Sequence, residues 1–101
     1  MAICQIAQYR VNSRAVDKVK RAIEEFVRSV KTNEPGTRLY VAWQQKEDPT
    51  HFVHFFIFDN EAAHKAHGES AAVKRFESIY SPELVCGDVV FTDYDMVAAN
   101  S

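Results

Sequence analysis

The chain has 101 residues, 47% of them hydrophobic and 26% charged, with a net charge of −2. That length allows one domain around one modest core, and so even a charge balance gives no basic patch for a nucleic acid to dock on. No apolar run reaches the roughly 18 residues of a membrane span, and the opening MAICQIAQYR lacks the charged start and apolar block of a secretory signal, so a cytoplasmic protein without membrane or nucleic-acid partners is expected.

Ile3 to Val11 alternates as a strand does, with Ile3, Gln5, Ala7, Tyr9 and Val11 on one side. Asn12 and Ser13 offer an N-cap. From Arg14 to about Thr32 the period lengthens to that of a helix, with Val16, Val19, Ile23, Phe26, Val27 and Val30 forming one apolar stripe. Asn33-Glu34-Pro35-Gly36 ends it, since proline lacks a donor and glycine permits unusual dihedrals. Arg38 to Gln45 reads as a second strand, with Leu39, Val41 and Trp43 on one face and Arg38, Tyr40, Ala42 and Gln44 on the other.

After the polar turn Lys46–Thr50 comes the densest apolar stretch, Phe52-Val53-His54-Phe55-Phe56-Ile57-Phe58. Its aromatic and β-branched residues favour a strand, which forms a hairpin with the second. Phe52, His54, Phe56 and Phe58 go to one side, and Val53, Phe55 and Ile57 to the other, so both sides ask for cover. Asp59-Asn60 caps a short helix from Glu61 to His67, which Gly68 breaks. A further helical segment, Ala71 to Tyr80, groups Val73, Phe76, Ile79 and Tyr80. Ser81-Pro82-Glu83 ends it, and Val85 to Met96 is a last strand bent near Gly87. Residues 1–97 form a single domain, and 98–101 form a frayed tail.

The order strand, helix, strand, strand, helix, strand is that of an α+β, ferredoxin-like βαββαβ fold. Its sheet is antiparallel and its helices share one face. The opposite face is apolar and bare, and apolar patches beyond a few hundred Å² are rare on monomers. A homodimer joined through that face is therefore expected.

Cys4 and Cys86 form neither a disulfide framework nor a metal motif, and lie at opposite ends of neighbouring strands. Both read as small buried hydrophobes. His54, flanked by apolar residues, needs a polar partner. It either contacts a ligand or pairs with a Tyr or Gln across the sheet or the dimer. Tyr9, Phe26, Tyr40, Trp43, Phe76 and Tyr80 either line an aromatic-binding pocket or are plain core, and the hydroxyls of Tyr40 and Tyr80 are the ones with something to offer a substrate. Arg38 reads as a surface residue rather than an anion binder. His51, beside a turn, reads as exposed. Glu61, His64 and His67 step by three, a solvated helix face rather than a metal site, which needs three or four ligands. No phosphate loop, Ser-His-Asp signature or pair of catalytic carboxylates is evident.

The set Glu34-Pro35-Gly36, Leu39-Tyr40, Glu47-Asp48-Pro49, Phe52, Asn60-Glu61-Ala62-Ala63, Ala66-His67, Ser70 and Phe76 resembles the antibiotic biosynthesis monooxygenase family. The resemblance covers about residues 34 to 76 in motifs and the whole chain in element order. It implies a dimeric α/β barrel with a pocket between each sheet and its helices. It also implies cofactor-independent oxygenation of a quinol or phenol by dioxygen, without flavin, haem or metal. His67, which matches the family pattern, is then the base or the group that orients dioxygen or substrate, with Tyr40, Trp43, His54 and Tyr80 binding the substrate. Where many members carry a second histidine this chain has Ala72, and where many carry Glu and Trp it has Phe56 and Phe58. The axial histidine of the haem-degrading branch would fall near Glu77, which disfavours haem. The alternative is a dimer that binds or isomerises a small carbonyl metabolite without oxidation.

Overall fold

The alternation read along the strands holds in the computed structural model, which describes residues 2–100. Four strands, β1 (Ile3–Val11), β2 (Thr37–Gln44), β3 (His51–Phe58) and β4 (Leu84–Tyr94), form one sheet in the order β2-β3-β1-β4. Every neighbouring pair is antiparallel. Three helices, α1 (Val16–Asn33), α2 (Glu61–Gly68) and α3 (Ala71–Tyr80), complete the α+β, ferredoxin-like architecture. Among the described residues no helix is long and apolar enough to cross a membrane.

α1 begins later than its sequence suggests. Asn12 accepts a hydrogen bond from the Arg14 amide and opens a 3-10 turn over Ser13–Ala15, so the α-helix proper starts at Val16. Val19, Ala22, Ile23, Phe26 and Val30 are its buried face, the stripe that three- and four-residue spacing requires. They pack on Tyr9, Val11 and Phe52 of the sheet and on Phe76 of α3. Phe58 stacks on His64 of α2. All three helices therefore lie on the sheet face that carries Tyr9, His54 and Phe58.

The other face is made of the alternate residues. Directly opposed residues in antiparallel strands share a face, so the pairs Cys4–Ile57, Gln8–Val53, Trp43–Val53, Val41–Phe55, Gln8–Val90 and Cys4–Tyr94 all lie on it. Trp43 is 55% exposed there, Val90 60% and Tyr94 49%. Cys4 and Ile57 are buried even so.

β4 bends where its sequence says it should. Gln8 pairs with Val90 but Arg10 pairs with Val85, so two steps along β1 answer five along β4. The extra residues include Cys86 at φ 61° and Gly87 at φ 103°, a left-handed pair that only glycine adopts without cost. Cys86 is exposed, contrary to the expectation of two buried thiols, because the bulge lifts it off the ladder. Beyond Tyr94 the chain runs to Asn100 without regular structure, and Ser101 lies outside the described residues.

Gly36 has a different role from the one expected. Its φ is not positive. A Cβ placed on it would lie 2.6 Å from the Cβ of Ala63, far inside contact distance. The glycine is there because α2 crosses the start of β2 too closely for any side chain.

A candidate active site between the sheet and the helices

A cavity of about 290 Å³ lies between the helix-side face of the sheet and α2 and α3. Tyr9, Tyr40, His54, Phe56, Phe26, His67, Phe76 and Tyr80 are among its walls, with Phe91 and Val89 of β4 along one side. That volume is at the small end for ligand sites, which start near ~300 Å³. A larger concavity, about 430 Å³ beside Pro35 and Gly36, is lined by turns and small residues and contains no histidine. The aromatic cavity gathers three histidines, His54, His64 and His67, with three tyrosines, Tyr9, Tyr40 and Tyr80.

His54 is at its floor, 1% exposed. Tyr9 and Tyr40 flank it from the neighbouring strands. The Tyr9 hydroxyl is 2.7 Å from His54 Nε2, and the Tyr40 hydroxyl is 2.7 Å from His54 Nδ1. The two open alternatives for this residue therefore meet in one place: it pairs with tyrosines across the sheet on both sides, and it also faces the cavity. Burial lowers the His54 pKa to about 4, so the ring is neutral at pH 7. Burial also pushes both tyrosines well above the usual phenol range, with smaller additions from Tyr40 and Tyr80 at Tyr9 and from Tyr80 and Glu34 at Tyr40. Both therefore stay protonated. Tyr80 is raised as well, by burial and then by Glu77.

His67 closes one end of the cavity. Only 12% of its side chain is exposed, and it packs on Phe26, Tyr40, Phe56 and Phe58. Its Nδ1 lies 2.7 Å from Glu34 Oε1, which also accepts the Thr37 hydroxyl at 2.8 Å. A carboxylate oxygen only accepts, so Nδ1 carries the hydrogen, and in the neutral ring Nε2 is the nitrogen with the lone pair. The carboxylate fixes the ring orientation and tautomer in the way a base is oriented for work. Glu34 is a site residue that sequence reasoning missed. It was visible only as part of the Glu-Pro-Gly segment, and its partner is 33 residues away.

Trp43 does not join the site. It stands on the opposite face of the sheet, packed against Phe55 and otherwise exposed. Tyr40 and Trp43 are three residues apart on one strand, so alternation separates them. The reading of Glu61, His64 and His67 as a solvated face also fails in part: Glu61 is exposed, but His64 and His67 turn inward and line the cavity. Among the described residues no group of three His, Cys, Asp or Glu side chains is placed to hold a metal ion. Arg38 is exposed and paired with Asp59 at 3.1 Å. His51 is half-buried, its Nδ1 held by Gln45 Oε1 at 2.7 Å.

The family model for antibiotic biosynthesis monooxygenase matches residues 2–78, most of the chain and nearly all the residues that build this cavity. The chain belongs to the antibiotic biosynthesis monooxygenase family. Solved structures agree on the fold. A Bacteroides thetaiotaomicron protein described as a candidate antibiotic biosynthesis monooxygenase superposes with a TM-score of 0.90 at 17% identity, covering 99% of this chain and 93% of that one. A second structure, named antibiotic biosynthesis monooxygenase, gives 0.86 at 24% identity over 97% and 100%. A Mycobacterium tuberculosis protein, Rv0793, gives 0.87 at 16% identity over the whole of both chains. Identities this low speak for the fold alone. A search of the curated proteins finds no relative of this sequence.

Proposed function

We propose that this member of the antibiotic biosynthesis monooxygenase family is a cofactor-independent oxygenase that acts on a quinol or phenol with dioxygen. The observation that carries the reading is the Glu34–His67 pair, a histidine with its tautomer fixed and its free nitrogen available to a small aromatic cavity. His67 Nε2 takes the phenolic proton. The ring carbon ortho or para to the oxygen becomes electron-rich and combines with dioxygen, giving a hydroperoxide at a carbon that still bears hydrogen. Loss of water from that hydroperoxide leaves a carbonyl. One oxygen atom ends in the product and one in water, and all four electrons come from the substrate. General base catalysis of this kind contributes about 10²–10⁴-fold. Tyr40, its oxygen held by the neutral His54, supplies a hydrogen bond to the developing oxyanion in a dry site, where such a bond acts most strongly.

Oxygen uptake with a panel of hydroquinones and polycyclic phenols tests this directly. His67→Ala should lose at least about a hundredfold of the rate, and Glu34→Gln should lose less while keeping the fold. A panel that consumes no oxygen above buffer ends the reading. The tyrosine hydroxyls favour one rival: a base opposite a hydrogen-bond donor is also what enolisation of a small carbonyl compound requires. Turnover that persists without oxygen would select that isomerase.

The active unit in this proposal is a homodimer. Val41, Trp43, Val53, Phe55 and Val90 form a bare apolar face that the chain's own helices cannot reach. The same face of a second copy is self-complementary and covers it by two-fold symmetry. Sedimentation at micromolar concentration should give a dimer, and a stably folded monomer there would overturn this part.

A further inference from the structure

The two contacts of His54 involve more protons than they can use. Tyr9 brings one hydroxyl proton, Tyr40 another, and the neutral imidazole a third, for only two hydrogen bonds. Each contact takes one proton, so one is always left over. If Nδ1 carries the imidazole hydrogen, it donates to the Tyr40 oxygen, Tyr9 donates to Nε2, and the Tyr40 hydroxyl proton is free. If Nε2 carries it, the roles reverse and the Tyr9 proton is free. A charged imidazole would leave two protons over rather than one, so a surplus exists in either protonation state. Among the described residues neither hydroxyl has a second partner, and both tyrosines line the cavity. A buried donor without an acceptor is costly, so the cavity has a built-in demand for an acceptor atom.

We propose that Tyr9, His54 and Tyr40 form a hydrogen-bond donor array that selects a flat ligand carrying an acceptor oxygen, a ketone or phenolate, with Tyr40 the donating end. Tyr40 is the less buried end, and its ring lies 5.8 Å from that of His67, so an oxygen held by Tyr40 lies on the base side of the cavity. The other end is packed between Phe52 and Tyr80. Binding of the acceptor at Tyr40 fixes the His54 tautomer with hydrogen on Nδ1, because that arrangement alone satisfies every donor. The array discriminates by chemistry rather than size: a hydrocarbon of the same shape leaves the surplus proton unpaired. The proposal rests on the reading of this cavity as the ligand site and sharpens its substrate class, but it requires no oxygen chemistry.

The probe is 1-tetralone, an aryl ketone with one acceptor oxygen, compared with its hydrocarbon counterpart tetralin. Tetralone should raise the melting temperature of the intact protein, and tetralin should bind roughly tenfold more weakly or worse. Nitrogen NMR of histidine-labelled protein should show His54 move to the Nδ1–H tautomer on adding tetralone and stay unchanged with tetralin. Tyr40→Phe should weaken tetralone by roughly tenfold and leave tetralin as it was. Equal binding of the two probes, no binding of tetralone, an unmoved His54, or an unaffected Tyr40→Phe would each overturn the array. The tautomer is read on the unmodified protein, so the test survives a variant that folds poorly. Ketone binding without oxygen uptake from any quinol would keep the array and remove the oxygenase reading, and the converse would do the reverse.

Discussion

The two faces of the sheet come from the same four strands, often from adjacent residues, and their chemistry is opposite. On β3, Phe52, His54, Phe56 and Phe58 are at most 4% exposed, while Val53 and Phe55 between them stay partly open. The helix face encloses polar groups, a histidine bridging two tyrosines and a histidine on a carboxylate, inside a shell of aromatic rings. The rear face is apolar over β2 and β3, where Leu39, Val41, Trp43, Val53 and Phe55 are its substance, and polar side chains, Gln8, Thr92 and Tyr94 among them, lie on β1 and β4. A polar network is tolerable only where every member is paired or meets a ligand, and the helices provide the enclosure that makes pairing strict. The rear face is instead generic in chemistry and specific only in shape, which suits contact with a copy of itself. One face is therefore covered by the chain's own helices, and the other is left to the proposed dimer.

The largest effects should fall on the covered face. Phe58 is fully buried between α2 and the sheet, so Phe58→Ala should cost about 3–5 kcal/mol. The cost should be the same at every protein concentration in urea unfolding. Trp43→Ala on the rear should cost less at high dilution than at high concentration, because in the proposed dimer its burial comes from a partner. A Trp43→Ala cost that ignores concentration would erase the distinction between the faces.

The buried histidine gives the helix face a pH signature that the rear lacks. His54 is held down to about 4, well below the ordinary ~6.5. Below pH 6.5 the unfolded chain takes up a proton at this residue and the folded chain does not. Folding stability should therefore fall as pH drops from about 6.5 towards 4, by about 3 kcal/mol in total from this group, with no contribution above 6.5. The groups facing it are Tyr9 and Tyr40 by hydrogen bond and the Phe76 ring, with His67 and Glu34 beyond Tyr40. Carboxylates elsewhere titrate in the same window, so the quantity to measure is the difference between the wild type and His54→Gln, whose pH slope should be shallower by about one proton.

On the rear, Phe55→Lys places a charge at the centre of the face. It should weaken dimerisation at least about a hundredfold, since an unpaired charge resists desolvation strongly. The monomer so produced should keep its helical signal and its 1-tetralone binding. Loss of the fold on this substitution would mean that the protomer's core depends on the rear face as well.

Much of this division could be read along the chain, and the reasons it stops are local. Period-two alternation assigned β1, β2 and β3 to their faces, and it separates Tyr40 from Trp43, although both were expected at the substrate. The apolar spacing of α1 and the Asn60 and Ser70 caps, each accepting an amide three residues on, are equally local signals. Burial of Cys86 was misread because a bulge changes which face a residue takes, and alternation contains no signal for one. The Glu34–His67 pair was out of reach for another reason. It joins the end of α1 to the end of α2, and nothing in either segment states how closely those ends approach. The partners of His54 lie on two different strands, whose register follows from pairing rather than from any single strand's sequence.

That close approach is itself testable, and it links the fold to the site. Gly36 lies in the turn just before β2, two residues after Glu34, and Ala63 lies one helical turn before His67 on α2. Their contact sets the height of α2 over the sheet, and with it the distance from Glu34 to His67. Gly36→Ala would put two Cβ atoms 2.6 Å apart, and since neither is the end of a flexible side chain, the backbone must give and α2 is pushed away from the turn. Overpacking of this kind costs about 1–3 kcal/mol. The loss should be largely restored in Gly36→Ala combined with Ala63→Gly, less the ~1 kcal/mol of a glycine inside a helix. Because the φ at Gly36 is not in the left-handed region, the double variant has no backbone strain to carry. A double variant no more stable than Gly36→Ala alone would show that the glycine is needed for its dihedrals after all. Gly36→Ala by itself should also lengthen the Glu34–His67 contact and release the His67 tautomer, visible as mixed Nδ1–H and Nε2–H nitrogen signals where the wild type shows one. The rear face, on the far side of the same strands, should register nothing.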